Sequence, residues 1–260
     1  MVNPESPPQA TEDDSLGIDR EFLVKMARMP LFALIWVAAA ALSHKIWAAF
    51  SPDTLNAGPL LVLSFGMILA AFIDGWALKV PNWVTLPLVL SGWILGLLHD
   101  LNVPIDGGTG GIGMSIICTI FGFLLLFPML AIRGVGEGDV KMQMGFGAWV
   151  GAFFGEGDTT NAAGLAKLYG PAVVFWGFAF GALVGGAFGL IIIFIRRQWT
   201  ANATMYREIG KDLTMFASGE AAEATKRAEE RRKVWVKLPY GIPLCVGFLL
   251  FLGYKLILQE

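Results

Sequence analysis

The chain has 260 residues, of which 55% are hydrophobic and only 15% charged, and its mean hydropathy is +0.62. Soluble domains carry about 25% charged residues, so this chain has too few charges to cover a surface that faces water. The composition excludes a soluble enzyme, a nucleic-acid-binding module and a disordered chain. The formal net charge of -2 is less informative, because in a membrane protein the distribution of charge matters more.

The first segment, 1–29, is predicted to be a cytoplasmic tail, since it lacks the basic start and apolar centre of a secretory signal. A membrane bundle is predicted over 30–195, and a last membrane helix over 238–260. A helix needs about 20 residues to cross a bilayer, and seven apolar segments approach this length: 30–50, 58–78, 83–99, 110–132, 141–155, 170–195 and 239–258. Because backbone groups in lipid must be bonded within the segment, we predict an all-α, polytopic transmembrane helix bundle of about seven spans.

The basic residues indicate the orientation of these spans. If the N-terminus is cytoplasmic, every Lys and Arg except Lys45, Lys167 and Lys255 falls on the inner side. The loops on the opposite side are acidic or neutral: 51–57, 100–109 and 156–168. The positive-inside rule therefore predicts an N-in, C-out chain.

The longest polar segment is a basic connector at 196–237, with ten basic and six acidic residues. Its composition from Gly219 to Lys233 favours a solvated helix. We interpret the segment as a cytoplasmic connector that lies near anionic lipid headgroups. Substrate or partner binding is the alternative.

Glycines recur every four residues in two predicted spans, and such columns let helix backbones approach closely. We therefore assign them to helix packing. The two columns are Gly147, Gly151 and Gly155 in the fifth span, and Gly177, Gly181, Gly185 and Gly189 in the sixth.

Two aspartates, Asp74 and Asp139, lie at membrane depth near the predicted cytoplasmic side. An acid in this position is costly and indicates function. Two carboxylates brought together in a poorly solvated site share one proton, which is the acid–base arrangement of aspartic proteolysis. The alternative for either residue is structural, with Asp139 as the N-cap of a helix. Gly136 and Gly138 lack side chains that would keep a substrate backbone away from Asp139.

The sequence from Gly136 to Lys141 resembles the GxGDxK signature of the type IV prepilin peptidases, which are GxGD-class intramembrane aspartyl proteases. Asp74 and the stretch from Pro81 through Asn82 to Pro87 resemble the family's first catalytic aspartate and the motif that follows it. A weaker match is the stretch 238–243, and together the resemblance covers roughly 58–258.

The resemblance implies that Asp74 and Asp139 are catalytic, and that Gly136, Gly138, Lys141, Pro81 and Asn82 bind substrate or shape the site. It implies an aspartic endopeptidase of the inner membrane whose active site faces the cytoplasm. The expected substrates are prepilins or pseudopilins with a basic leader and an apolar helix. No nucleic-acid partner is expected.

The chain departs from the family pattern in three ways. Lys79 is the one basic residue between Asp74 and Pro81, and the connector 196–237 is longer than in compact members. A preceding domain with paired CxxC motifs is also missing from the sequence, so the resemblance is to the peptidase-only type found with tight-adherence pilus systems.

Two other functions use the same residues. In a proton- or cation-coupled transporter, Asp74 and Asp139 would carry the ion, although no inverted repeat or pair of interrupted helices accompanies them. In an assembly scaffold, both aspartates would be vestigial. No cofactor or metal is expected, since Cys118 and Cys245 lie in apolar stretches without metal-ligand spacing.

Overall fold

The computed structural model describes residues 20–51, 56–77, 80–103, 105, 108–131, 134–155, 169–196, 207–212, 214–216, 218–232 and 240–257. Within these ranges the chain forms helices and loops and has no strand, which confirms the predicted all-α class. The expectations for residues 1–19, Lys79, the loop 156–168 and the start of the stretch 238–243 fall outside the described residues.

The principal helices are α1 (Arg20–Phe50), α2 (Gly58–Ala77), α3 (Asn82–Asp100), α4 (Ile112–Ala131), α5 (Glu137–Phe153), α6 (Gly170–Arg196), α7 (Ala221–Arg232) and α8 (Gly241–Ile257). Residues 207–212 and 214–216 are also helical. Each predicted span overlaps with one of these helices. α5 begins four residues before its predicted span, so Asp139 lies in the first turn of this helix.

Among the described residues, five helices are long and apolar enough to cross a membrane: α1 from Ala27, α2, α3, α4 and α6 as far as Ile191. The apolar part of α8 is shorter. α5 has 17 residues, most of them buried by the surrounding helices. A helix enclosed by protein can be shorter and more polar than one that faces lipid. The chain is thus a multi-pass membrane protein, while the number of seven spans and their orientation remain predictions.

α5 lies at the centre of the bundle between α3 and α4. The indole N–H of Trp149 donates to the Leu88 carbonyl over 3.0 Å and to Ser91 Oγ over 2.9 Å. On the other side, the Ser115 hydroxyl donates to the Ala148 carbonyl over 2.7 Å. These buried bonds hold both neighbouring helices against α5.

The glycine columns are packing surfaces, as predicted, with one exception. A Cβ at Gly147 would collide with the Cys118 carbonyl of α4, and those at Gly151 and Gly155 would also collide with backbone there or just before it. In α6, Gly177, Gly181 and Gly185 face α8. Gly189 was assigned to this column wrongly, because no described atom lies within 4 Å of the position of a Cβ there.

The directions in which the helices run bring the end of α2 and the starts of three other helices to the same side of the bundle. α3 runs parallel to α5, since Val80 lies against Gly138 and Leu88 against Gly145. α8 begins where α2 ends, with Gly241 against Asp74. The end of α2 and the starts of α3, α5 and α8 therefore meet, and this end of the bundle carries both aspartates.

The connector forms a helix where one was predicted, but this helix is only partly solvated. Ala224 of α7 is fully buried, and the Thr225 hydroxyl donates to the Ala131 carbonyl at the end of α4 over 3.4 Å. The rings of Phe127 and Phe216 lie 6.3 Å apart in an edge-on arrangement. The connector thus packs against the end of α4 that leads to the GxGD stretch.

Candidate active site

Asp74 lies in the last turn of α2, and its side chain is only 5% exposed. The backbone N–H of Gly241, at the start of α8, donates to Asp74 Oδ2 over 3.0 Å. A Cβ at position 241 would lie 2.9 Å from the same oxygen. The absence of a side chain at Gly241 therefore permits this close approach.

Asp139 is the third residue of α5, and its side chain is 4% exposed. The helix is capped by Gly136, whose backbone is extended and whose N–H donates to Asp139 Oδ2 over 3.2 Å. The alternative in which Asp139 is itself the N-cap is therefore wrong. Its second oxygen, Oδ1, is buried and has no hydrogen-bond partner among the described residues.

The fold brings these two carboxylates together from helices that are 60 residues apart in the chain. They are close enough for the charge of Asp74 to act on Asp139. Neither side chain is open to bulk water, and each uses one oxygen to accept a backbone N–H. Such a pair binds one proton more readily than it carries two negative charges.

The two glycines before Asp139 have different surroundings. A Cβ at Gly136 would lie 3.2 Å from Asp139 Oδ2, so this glycine borders the carboxylate directly. A Cβ at Gly138 would instead lie 2.9 Å from the Val80 Cβ and 3.0 Å from its backbone nitrogen. Val80 thus occupies the space that the sequence suggested for substrate beside Gly138.

Lys141 connects the starts of two helices. Its ammonium group donates to Asn82 Oδ1 over 3.0 Å and lies 4.0 Å from a carboxylate oxygen of the exposed Glu137. Pro81 is the N-cap of α3, immediately before Asn82. Lys141 and Asn82 therefore form a polar rim of the site beside Asp139, and Pro81 starts the helix that carries Asn82.

Two residues at the site were not singled out from the sequence. Gly241 lies in the stretch 238–243 that matched weakly, so a signal was present. Gln143, one turn after Asp139, is fully buried without a hydrogen-bond partner in the described structure, and no signal in the sequence pointed to it. Among the described residues, no group of three His, Cys, Asp or Glu side chains is placed to hold a metal ion.

The comparisons with known proteins agree with one another, since the matching family model and the similar relatives are all leader peptidases. A model of the Type IV leader peptidase family matches residues 61–190, a range that contains both aspartates. The prepilin leader peptidase/N-methyltransferase of Aeromonas hydrophila is 32% identical over 134 residues, covering 48% of this chain and 41% of the relative. The protein of the same name from Dichelobacter nodosus is 29% identical over 176 residues, covering 61% and 60%.

These similarities cover only part of the relatives. A third protein of this name, from Klebsiella pneumoniae, is 30% identical over 123 residues, or 47% of the chain and 53% of the relative. The chain thus matches between about two fifths and three fifths of the length of these curated relatives. No solved structure shows significant similarity to it.

Proposed function

Because the chain belongs to the type IV leader peptidase family, we propose that it is an aspartic endopeptidase that removes the leader from prepilin-like proteins. The reaction takes place at the cytoplasmic face of the inner membrane, where the basic leader of the substrate ends and its apolar helix begins. The observation that carries the proposal is the pair of buried carboxylates, Asp74 and Asp139, at one end of the bundle.

The pair supplies both the base and the acid that peptide hydrolysis requires. The ionised carboxylate takes a proton from water as the water oxygen bonds to the peptide carbonyl carbon, while the protonated carboxyl donates to the carbonyl oxygen. The C–N bond then breaks as a proton passes to the leaving amine. The N–H groups of Gly136 and Gly241 orient the two carboxylates for these steps.

The surroundings of the pair fit a substrate that approaches from the membrane surface. Asn82 and Glu137 are exposed beside the buried site. On either side of Asp74 in α2, the large side chains of Phe72 and Trp76 are 70% and 86% exposed. An apolar helix could therefore lie against α2 while the segment before it reaches the carboxylates.

The direct test is leader cleavage by the purified protein, with a prepilin that has a Lys/Arg-rich leader as substrate. Asp74→Asn and Asp139→Asn are nearly isosteric but cannot share a proton in the same way. Each should reduce cleavage by about a thousandfold while circular dichroism shows unchanged helix content. Glu137→Gln is the matched control, since it removes an exposed carboxylate two residues from Asp139, and it should retain activity.

The outcomes separate the proposal from its alternatives. A transporter would show ion-coupled uptake that depends on both aspartates without any cleavage, and a scaffold would show neither activity. Substantial cleavage by either aspartate variant would contradict the mechanism. A metal chelator should have no direct effect, and reversible loss of cleavage that a single metal restores would also count against it.

A further inference from the structure

One side chain in the interior of the bundle is polar, buried and unused by the mechanism described so far. Gln143 of α5 is fully buried, and neither its amide nitrogen nor its amide oxygen has a hydrogen-bond partner among the described residues. Buried polar groups in proteins are normally hydrogen-bonded, and an unpaired amide in a bundle interior is unfavourable. This position therefore calls for a functional explanation.

Gln143 follows Asp139 by four residues, so the two side chains lie on adjacent turns of the same helix face. Long side chains in helices extend back toward the N-terminus, which directs Gln143 toward Asp139. On the facing helix α4, a Cβ at Gly122 would lie 3.3 Å from Gln143 Cγ. The missing side chain of Gly122 thus leaves the room that Gln143 occupies.

Asp139 has an oxygen available for this amide. Oδ2 accepts the Gly136 N–H, whereas the buried Oδ1 has no partner in the described structure. A carboxylate oxygen that becomes negatively charged in such a place requires a donor. The Gln143 amide group carries two N–H donors and lies one turn away.

Few ionisable groups surround this carboxylate. Asp74 faces it from α2, and Glu137 and Lys141 accompany it on α5, where Lys141 bonds to Asn82. The ionisable residues of α3 are His99 and Asp100 at its opposite end, and the one in α4 is Cys118, which packs against Gly147. α8 begins with Gly241, which faces Asp74, and the residue before it is Tyr240, on the same side of the bundle.

We propose that Gln143 is a positioning residue for Asp139, and that its amide N–H donates to Oδ1 of the ionised carboxylate. This inference rests on the proposed function. It also assigns the roles of base and acid, which the pair of carboxylates does not assign by itself. A donated hydrogen bond favours the charged form, so Asp139 is the base that takes the proton of the attacking water. If Asp139 is the base, Asp74 is the acid that holds the shared proton.

The test compares Gln143→Met, which keeps the length of the side chain without its amide, with the wild-type protein. Infrared titration follows the carboxyl C=O band that disappears in Asp139→Asn, and leader cleavage is measured over the same pH range. In Gln143→Met, the pH at which this band is half lost should be about one unit higher than in the wild-type protein, equivalent to a tenfold change in proton affinity. At neutral pH, kcat should fall by up to about tenfold with KM unchanged.

Thr119→Val is the control, because Thr119 is also buried and lies on α4, the helix that faces Gln143. Its hydroxyl donates to the Ser115 carbonyl within α4, away from both carboxylates. This variant removes a buried polar group of the same bundle, and it should leave the band midpoint and the pH profile unchanged. Gln143→Leu, a second apolar variant, should behave like Gln143→Met.

The results distinguish failure of this inference from failure of the proposed function. If wild-type protein cleaves the leader but both Gln143 variants keep the wild-type midpoint and pH profile, the inference is overturned and the function stands. If wild-type protein cleaves nothing while the band still shifts in both variants, the hydrogen bond stands and the peptidase function fails. Loss of the fold in both variants would assign Gln143 to packing and overturn the inference.

Discussion

Asp74 and Gly241 are 167 residues apart in the chain, yet the Gly241 backbone N–H donates to the Asp74 carboxylate over 3.0 Å. This contact shows how a single residue can control the geometry of the site without taking part in the chemistry. Gly241 has no side chain, so α8 can begin directly against the carboxylate. Any larger residue would have to displace either the helix or Asp74.

Gly241→Ala should therefore impair catalysis more than folding. The added Cβ would lie 2.9 Å from Asp74 Oδ2 and 3.1 Å from Asp74 Cβ, which moves the carboxylate away from its partner. We expect cleavage to fall by at least about tenfold, as small displacements of catalytic groups have large effects on rate. Gly253→Ala is the control on the same helix, where no described atom lies within 4 Å of the new Cβ. Equal activity of both variants would show that the approach of α8 is not required.

Gly138 is a residue at which the structure changes the expected outcome of a substitution. On sequence grounds, Gly138→Val should block substrate while leaving stability near normal. Because Val80 fills the space beside Gly138, the larger side chain should also separate the start of α5 from the turn before α3. We expect the melting temperature in detergent and the cleavage rate to fall together, with a loss of about 1–3 kcal/mol in stability. Normal stability with lost cleavage would instead support the original interpretation.

At the scale of helices, α5 is shielded from lipid by its neighbours, so it can carry buried polar side chains. It holds three of the site residues and two buried polar side chains, Asp139 and Gln143, because protein rather than lipid surrounds it. Its glycines bring α4 into backbone contact, and the stacked rings of Phe146 and Phe248, 3.9 Å apart, bring α8 alongside. The position of α8, and with it Gly241, thus depends on the packing of α5 and α6.

Gly181→Val should destabilise the bundle through the contact between α6 and α8. A Cβ at this position would already lie 3.1 Å from Leu244 Cα, so a β-branched side chain must push the helices apart, at a cost of about 1–3 kcal/mol. We expect a lower melting temperature in detergent, followed by loss of activity as α8 moves. Gly186→Val on the same helix meets no described atom within 4 Å of its Cβ and should melt like wild type. If both variants melt alike, the glycine column does not determine the packing.

At the scale of the whole molecule, the packing of the helices and the distribution of basic residues are compatible with the same orientation of the site. The packing places the end of α2 and the starts of α3, α5 and α8 at one end of the bundle, where the aspartates lie. The distribution of Lys and Arg predicts that this end faces the cytoplasm. On this side, the proposed peptidase would meet the basic leader of a substrate whose apolar helix still lies in the membrane.

Topology reporters test this orientation. A reporter fused within 196–237 should report a cytoplasmic location, and one fused after Glu260 should report the outside, because seven crossings from an inside start require it. If both fusions report the cytoplasm, α8 does not cross the membrane. If both signals are reversed, either α5 does not cross the membrane or the whole bundle is inverted, and inversion would place Asp74 and Asp139 on the face opposite to a cytoplasmic leader.

The sequence by itself determined the helical class, the approximate position of a helix in each predicted apolar segment, and the two candidate aspartates. These features are local, since a long apolar segment in lipid must be helical and each motif around Asp74 or Asp139 is contiguous in the chain. The glycine columns were also predictable, because their four-residue spacing follows from the geometry of one helix. Gly189 was the exception, since spacing cannot show where the neighbouring helix α8 begins, and Gly185 already contacts Pro243 near that start.

Only the tertiary structure decided which groups surround the carboxylates. The Gly241 N–H at Asp74, Val80 beside Gly138 and Asn82 on Lys141 are contacts between residues far apart in the chain. The buried, unpaired amide of Gln143 is likewise invisible in the sequence, where a glutamine within an apolar helix has no assigned depth. The physical reason is that burial and hydrogen bonding depend on which helices pack together, whereas hydropathy and motif spacing depend on one segment at a time.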